Sequence, residues 1–282
     1  MGARSGNNYL SALRRLKAAL WLDDARVDDP TIHPALKPLA RSIASLYDLQ
    51  MEHPGAMTYR LEDGDRVGYS WVSPTTVEDF HKRSIMLRRW AAESCGLIEE
   101  TPDTMNLVLA AMTAAADFFA ESDAHCGAHL TDYYREARHR DWCIASATSE
   151  TDSELQMIDR TDAGIVVTGT RRLTALGPLA EELLMWQTAP KSPTEALVFA
   201  ISSNARGIEM RCRTTLSPSG PLPTIACIAT FDDVAIPSNR IFLCGDVARC
   251  NSMLERTGAS AVLVQQQTLK ALVAAEVAVK RG

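Results

Sequence analysis

Hydrophobic positions change their period twice along the 282 residues, from helical to strand-like and back. Between Asn8 and Leu20, the residues Tyr9, Leu10, Leu13, Leu16 and Leu20 follow a 3.6-residue period with arginines opposite, which predicts an amphipathic helix. The same spacing recurs from Pro34 to Leu49, one residue after His33. Ser73-Pro74-Thr75-Thr76 followed by Glu78 supplies a capping hydroxyl, a proline suited to a first turn and an early acid, so a helix is expected from there to Gly96. Thr101-Pro102-Asp103 opens another that continues through Leu107, Met112 and Phe118, and a further helix fits Ala128 to Ala147.

Near Asp152 the period shortens. Gly164 to Gly169, Ala196 to Ile201, Gly207 to Arg213 and Thr224 to Phe231 are β-rich runs bounded by Gly, Pro, Ser or Asn, which predicts a small antiparallel barrel or sandwich rather than a parallel βαβ sheet. From Asn251 to Lys280 the pattern is helical again, with Leu269, Leu272, Val273 and Val279 as its apolar stripe. No later segment covers that stripe, so it is expected to pack on the barrel, another subunit or a separate chain, and oligomerisation is the expectation. The divisions are residues 1–147 (helical), 148–244 (strands) and 245–282 (the start of a second helical region).

Composition narrows the partners. With 46% hydrophobic and 23% charged residues the chain has a core, and its formal charge of −6 offers no attraction to a phosphate backbone, so nucleic-acid binding is not expected. The longest uncharged apolar run, Leu107 to Ala116, falls well short of the roughly 20 residues a membrane crossing needs. No apolar h-region follows Met1–Asn7, so a cytoplasmic location is expected. The 7 cysteines are scattered with no C-x-x-C pair, which fits buried, reduced thiols and neither a disulfide framework nor a zinc ribbon.

Familiar catalytic signatures are missing: no Walker loop, no G-x-G-x-x-G after a strand, no G-x-S-x-G elbow and no H-E-x-x-H helix. Glu121, His125 and His129 have the i, i+4 spacing that aligns metal ligands on one helix, but Gly127 between the histidines favours a helix junction, and no metal is expected. Every histidine lies at or before residue 139, so a His-based catalyst would have to come from the helical part. His33 reads as a helix-entry cap, and His139 in Arg138-His139-Arg140-Asp141 as part of a solvated charged face. Asp232-Asp233, after an apolar strand, reads as a structural corner ahead of a catalytic carboxylate pair. Arg171 and Arg172 beside Thr168, Thr170 and Thr174 fit either a cofactor's ring edge or phosphate, or plain surface charge.

Taken in order, further landmarks carry a resemblance. They are Tyr9-Leu10-x-Ala12-Leu13, Val27-Asp28-Asp29-x-x-x-His33-Pro34, Ile43-Ala44-x-Leu46-Tyr47-Asp48, Thr101-Pro102-Asp103-x-x-Asn106, Tyr133-Tyr134-Arg135-Glu136, Thr161-Asp162-Ala163-Gly164-Ile165-Val166-Val167 and Phe231-Asp232-Asp233-Val234-x-Ile236-Pro237. Together they resemble the 4-hydroxyphenylacetate 3-monooxygenase family, the oxygenase component of two-component flavin hydroxylases. The resemblance implies an α+β, acyl-CoA dehydrogenase-like fold: an N-terminal helical domain, a central antiparallel β-barrel and a C-terminal helical bundle, of which only the first helix is expected here. It also implies reduced FAD delivered by a separate flavin reductase, and hydroxylation of a phenol by O2, with the protein orienting the substrate and excluding water.

At the site the family pattern is altered. Arg-Thr-Pro-Asp-Tyr becomes Glu100-Thr101-Pro102-Asp103-Thr104, so Glu100 and Thr104 replace the substrate-holding cation and phenol. Ser146 stands where the family has a histidine, and a serine is no proton acceptor near neutral pH. The flavin-contacting Pro-Gln-x-Asp-Arg is Thr151-Asp152-Ser153-Glu154-Leu155 here. Thr174 matches a flavin-contacting threonine, and Trp186 and Gln187 fall where the family lines its substrate pocket, with ordinary packing as the other reading of Trp186. The iron–sulfur branch of the superfamily, the 4-hydroxybutyryl-CoA dehydratases, is not matched: Cys95 has Glu99 four residues on, and no histidine follows residue 139.

Three functions follow. The first is a diverged FADH2-dependent monooxygenase for an aromatic or related small molecule, Glu100 favouring a cationic or hydrogen-bond-donating substrate such as an amine. The second is a non-oxidative cyclase, dehydratase or isomerase using Glu100 or an aspartate as acid/base. The third is a companion subunit without flavin, needing a partner chain that carries the C-terminal helices.

Overall fold

The computed structural model describes residues 2–95, 100–147, 155–216 and 223–281. Helix α1 (Gly6–Leu16) is capped by Ser5, whose side chain accepts from the Asn8 amide, and it ends at Lys17 in the left-handed region. The chain then extends into β1 (Leu20–Leu22) and β2 (Ala25–Arg26), so the predicted first helix ends four residues early and its last residue, Leu20, belongs to a strand. Helices α2 (Lys37–Glu52) and α3 (Pro54–Met57) lead to the hairpin β3 (Thr58–Arg60) and β4 (Arg66–Gly68). Helix α4 (Val77–Glu93) opens with a capping box in which Thr76 and Asp79 satisfy each other's amides.

Helix α5 (Pro102–Ala114) does not run through Phe118: the backbone breaks at Ala115 and restarts as α6 (Ala116–Ala120). Helix α7 (Ala124–Arg140) stops where Asp141 turns left-handed at φ 52°, a conformation that Asp tolerates better than most residues. The expected helix to Ala147 therefore gives way to strand β5 (Ile144–Ser146). The remaining strands are β6 (Leu155–Thr161), β7 (Gly164–Leu173), β8 (Glu182–Trp186), β9 (Leu197–Ser202), β10 (Ile208–Leu216), β11 (Pro223–Pro237) and β12 (Ile241–Cys244). The expected single final helix is two, α8 (Val247–Arg256) and α9 (Ala259–Arg281), separated at Gly258 with φ +73°.

Strands form two main sheets, ordered β2-β1-β10-β11-β7-β6 and β12-β9-β8-β5. Pairing is antiparallel except for β1 with β10 and β5 with β8, both joining a strand from the N-terminal helical part to the strand region. Leu183, Met185, Leu197, Phe199 and Ile201 of the smaller sheet meet Val167, Met210, Ala229 and Phe231 of the larger one in a first core. On its other face the smaller sheet presents Ile144, Leu184, Val198, Ala200 and Phe242 to α5, α7, α8 and α9 in a second core. No helix of the described residues is long and apolar enough to cross a membrane.

A buried polar web pins the start of the chain to this frame. The Asp141 carboxylate accepts from Trp71 Nε1 at 2.9 Å, Gln50 Nε2 at 2.6 Å and the Arg4 amide at 3.3 Å. Arg4 donates to both oxygens of Glu181, at 2.9 and 2.5 Å, and stacks on the Tyr47 ring. Burial pushes the Asp141 carboxyl above its ordinary range, while Arg4, Trp71 and Gln50 pull it back down.

Candidate functional site

Glu100 immediately precedes Thr101, the N-cap residue of α5, and Pro102 occupies the first turn where its missing N–H costs nothing. Thr101 donates its hydroxyl proton to Asp103, which fixes the entry to the helix. Ser146 closes β5 and Thr174 follows directly on β7. The Thr174 amide donates to the Ser146 carbonyl at 3.1 Å, and Ala147 bridges to Leu173, so two strand ends from different sheets are locked side by side.

Both hydroxyls there reach Glu100: Ser146 Oγ donates to Oε1 at 3.3 Å, and Thr174 Oγ1 donates to Oε2. Glu100 and Ser146 are buried and Thr174 is half-buried. A carboxylate accepts and cannot donate, so each hydroxyl spends its one proton on Glu100 and keeps its lone pairs for something else.

Thr104, one turn into α5, is set the opposite way. Gln266 Nε2 donates to Asp103 Oδ2 at 2.8 Å and to Thr104 Oγ1 at 2.7 Å. The Asp103 carboxylate requires the amide nitrogen on its side, and the Thr104 oxygen, already accepting, has its proton left to give. Gln266 lies on the face of α9 that packs on α5, with Lys270, also buried, one turn further along. Sequence reasoning missed Gln266, which stands in a short glutamine triplet, Gln265-Gln266-Gln267. The signal that could have found it is a polar side chain inside the stripe of Val262, Leu269 and Val273.

Trp186 and Gln187 lie apart from this cluster. Leu184 pairs with Ser146, so Trp186 at the end of β8 and Gln187 just past it sit two and three residues further along, or about 7 and 10 Å. The Trp186 ring packs against the second core and its carbonyl accepts from the buried Arg171 at 2.9 Å. Gln187 Oε1 is buried with no hydrogen-bond partner among the described residues. Thr168 bonds the Phe231 carbonyl, away from Glu100. Thr151 to Glu154 lie outside the described residues.

Other candidates resolve into structure. Asp232 and Asp233 form an exposed bulge in β11, with Asp233 at φ 49° and the Asp232 amide bonded to the Gly207 carbonyl. Glu121 ends α6 and pairs with Arg249 at 2.8 Å, whereas His125 and His129 stack on α7 with ring centres 6.0 Å apart. The ring nitrogens of His139 face Asp63 and Asp65, each at 3.3 Å. These three residues are the one grouping among the described residues with the spacing of metal ligands, and it is part-exposed.

Residues 5–243 match the sequence family described as 4-hydroxyphenylacetate 3-hydroxylase N terminal. The chain belongs to this family. The 4-hydroxyphenylacetate 3-monooxygenase oxygenase component of Geobacillus sp. (strain PA-9) is 30% identical over 98% of the chain and 62% of its own length. A crystal structure of the oxygenase component of 4-hydroxyphenylacetate 3-monooxygenase, complexed with FAD and 4-hydroxyphenylacetate, superposes with a TM-score of 0.88 at 31% identity, covering 97% of this chain and 62% of that one. The chain thus spans a little over three-fifths of the length of these family members. Glutaryl-coenzyme A dehydrogenase, at 16% identity and a TM-score of 0.50 over 73% of the chain and 53% of its own, shares the fold alone. The expected α+β, acyl-CoA dehydrogenase-like architecture is therefore the observed one.

Proposed function

We propose that this chain acts in a flavin-dependent monooxygenase, hydroxylating an aromatic or related small molecule with reduced FAD and O2, the flavin coming from a separate reductase. The observation that supports it most is the meeting of Glu100, Ser146 and Thr174 at the junction of α5 with the two sheets, in a member of a family whose solved oxygenase component holds FAD and a phenol. The residues present fit a flavin: the half-buried Thr174 oxygen and the orphaned Gln187 Oε1 are acceptors that the N–H groups of a ring edge would satisfy. When bound, reduced flavin supplies the electrons for oxygen chemistry.

The chain's own residues would do the rest. Thr104, with its proton free, donates to a substrate oxygen. Ser146 accepts from a substrate O–H or N–H and relays its own proton to Glu100 Oε1, which takes over the acceptor role that serine alone lacks. An acid in place of a substrate-holding cation favours a neutral donor or an amine over a carboxylate. The test is anaerobic titration with reduced FAD, then admission of 18O2 with phenols and aryl amines: one labelled oxygen in the product is expected. Turnover without flavin or oxygen would transfer the case to a non-oxidative reaction.

A specific observation supports oligomerisation as well. Val264, Leu272 and Val279 on the outer side of α9 are 62%, 56% and 81% exposed and share one stripe, which a second copy of the chain would cover. A cytoplasmic location accords with cysteines that form no disulfide among the described residues.

A further inference from the structure

We infer that Cys212 and Cys227 are an oxidisable pair, which hydrogen peroxide closes into a disulfide that staples β10 to β11. The two residues are direct partners in the register of these antiparallel strands. The kind of partnership follows from the backbone. Met210 gives its N–H to the Ala19 carbonyl at 2.8 Å and the Cys212 carbonyl accepts from the Asp23 amide at 3.0 Å, so the even-numbered residues of β10 turn their backbone groups toward β1. On the other edge the Asp232 amide bonds the Gly207 carbonyl at 2.9 Å, which puts the hydrogen-bonded pairs with β11 at odd-numbered positions. Cys212 and Cys227 are therefore a non-hydrogen-bonded pair, in which facing Cα atoms come within about 4.5 Å. A disulfide spans Cα separations of about 4.4 to 6.8 Å, so the bond can form without moving either strand.

Both side chains point the same way, into the first core, where the residues are 2% and 0% exposed. The thiols hydrogen-bond each other, and that bond together with burial pushes the Cys227 thiol well up. Leu22 of β1 stands beside Cys212 and Leu173 of β7 beside Cys227, so leucines flank the pair on either side. Among the described strands no other two cysteines face each other, since Cys244 stands opposite Leu197. In the first step one sulfur attacks hydrogen peroxide: an S–O bond forms, the O–O bond breaks, and the departing hydroxide takes the thiol proton as water. In the second the other sulfur attacks the first, the S–O bond breaks, and the remaining thiol proton leaves with that oxygen as a second water. Two electrons pass from the sulfurs to the peroxide. The core delays the oxidant and does not exclude it, because a small neutral peroxide enters when the strand pair opens locally.

The test treats the folded chain with hydrogen peroxide, removes the excess with catalase, unfolds the protein in guanidinium with iodoacetamide and maps the peptides by mass spectrometry. A peptide pair joined through Cys212 and Cys227 is expected, with two fewer alkylated thiols than the 7 of the reduced chain and full reversal by dithiothreitol. Closing a loop of about 15 residues constrains the unfolded chain, so the oxidised protein should melt about 6 °C or more above the reduced one. Cys212→Ala and Cys227→Ala should each lose both the cross-link and the rise. All 7 thiols still alkylated after peroxide, oxidation to sulfinic or sulfonic acid without a cross-link, or a bond to a different cysteine overturns the inference. A bond between Cys212 and Cys227 that leaves the melting point unchanged overturns the staple.

Discussion

At the scale of single residues, the chain places ionisable groups where water cannot reach them. Asp141 accepts from Trp71 Nε1, and from Gln50 and Arg4 as well. Asp141→Ala would leave these buried donors unmatched, and a loss of about 3 kcal/mol or more is expected in urea unfolding, the cost of breaking a buried charged network. Glu182 offers a pH signature. Burial pushes its carboxyl up to about 7 even though Arg240 donates to it at 2.8 Å and works in the opposite sense. Between the unfolded value of 4.5 and 7 the folded protein binds the extra proton, so stability is greatest below that window and falls as the pH rises through it. The fall amounts to about 3 kcal/mol, and Glu182→Gln, whose amide oxygen still accepts from Arg240, should flatten it in unfolding curves taken between about pH 4.5 and 8.

At the scale of elements, the described loops turn on few positions. Gly164 starts β7 at φ +145°, and a Cβ there would lie 2.0 Å from the Ile236 carbonyl oxygen of β11. Gly164→Ala should therefore strain the junction and cost about 2 kcal/mol or more, read as a lower midpoint in thermal unfolding. Helices α2 and α4 were legible in the sequence because each buries one face and carries its own start signal, whereas α5, buried on nearly all sides, was legible from the Thr101-Pro102-Asp103 start alone. Strand β8 was not, because Leu183 and Met185 face one core and Leu184 the other. Burial on both faces erases the alternation by which a strand is recognised. Strand β5 was hidden by a helix that ends on an aspartate instead of a glycine, and β1 by leucines that fit a helical period equally well. Within the site, Glu100, Ser146 and Thr174 could each be named from the family pattern. That they share one carboxylate is a fact of the fold, since 46 and 74 residues of chain separate the partners of those two bonds.

At the scale of the whole molecule, the described residues leave the outer side of α9 exposed at Val264, Leu272 and Val279, and the proposed assembly through it carries a prediction. Leu272→Asp, at 56% exposure, should not disturb the fold but should shift the chain toward monomer in sedimentation. A chain that is monomeric at every concentration would instead reserve this face for a different partner. The helix has its own ties: Glu276, near the exposed side, pairs with Arg88 of α4 at 2.6 Å, and Gln266 on the inner side reaches the first turn of α5.

Should the α5 entrance take a ligand and the far side of α9 a neighbour, Gln266 would couple the two. Its amide orients Thr104, so any neighbour that shifts α9 by a fraction of an ångström alters the hydroxyl offered to a ligand. Linkage then runs both ways: the factor by which such a neighbour strengthens ligand binding is the factor by which the ligand strengthens the neighbour's grip. Occupancy at the α5 entrance and contact on the far side of α9 would then be two readings of one equilibrium.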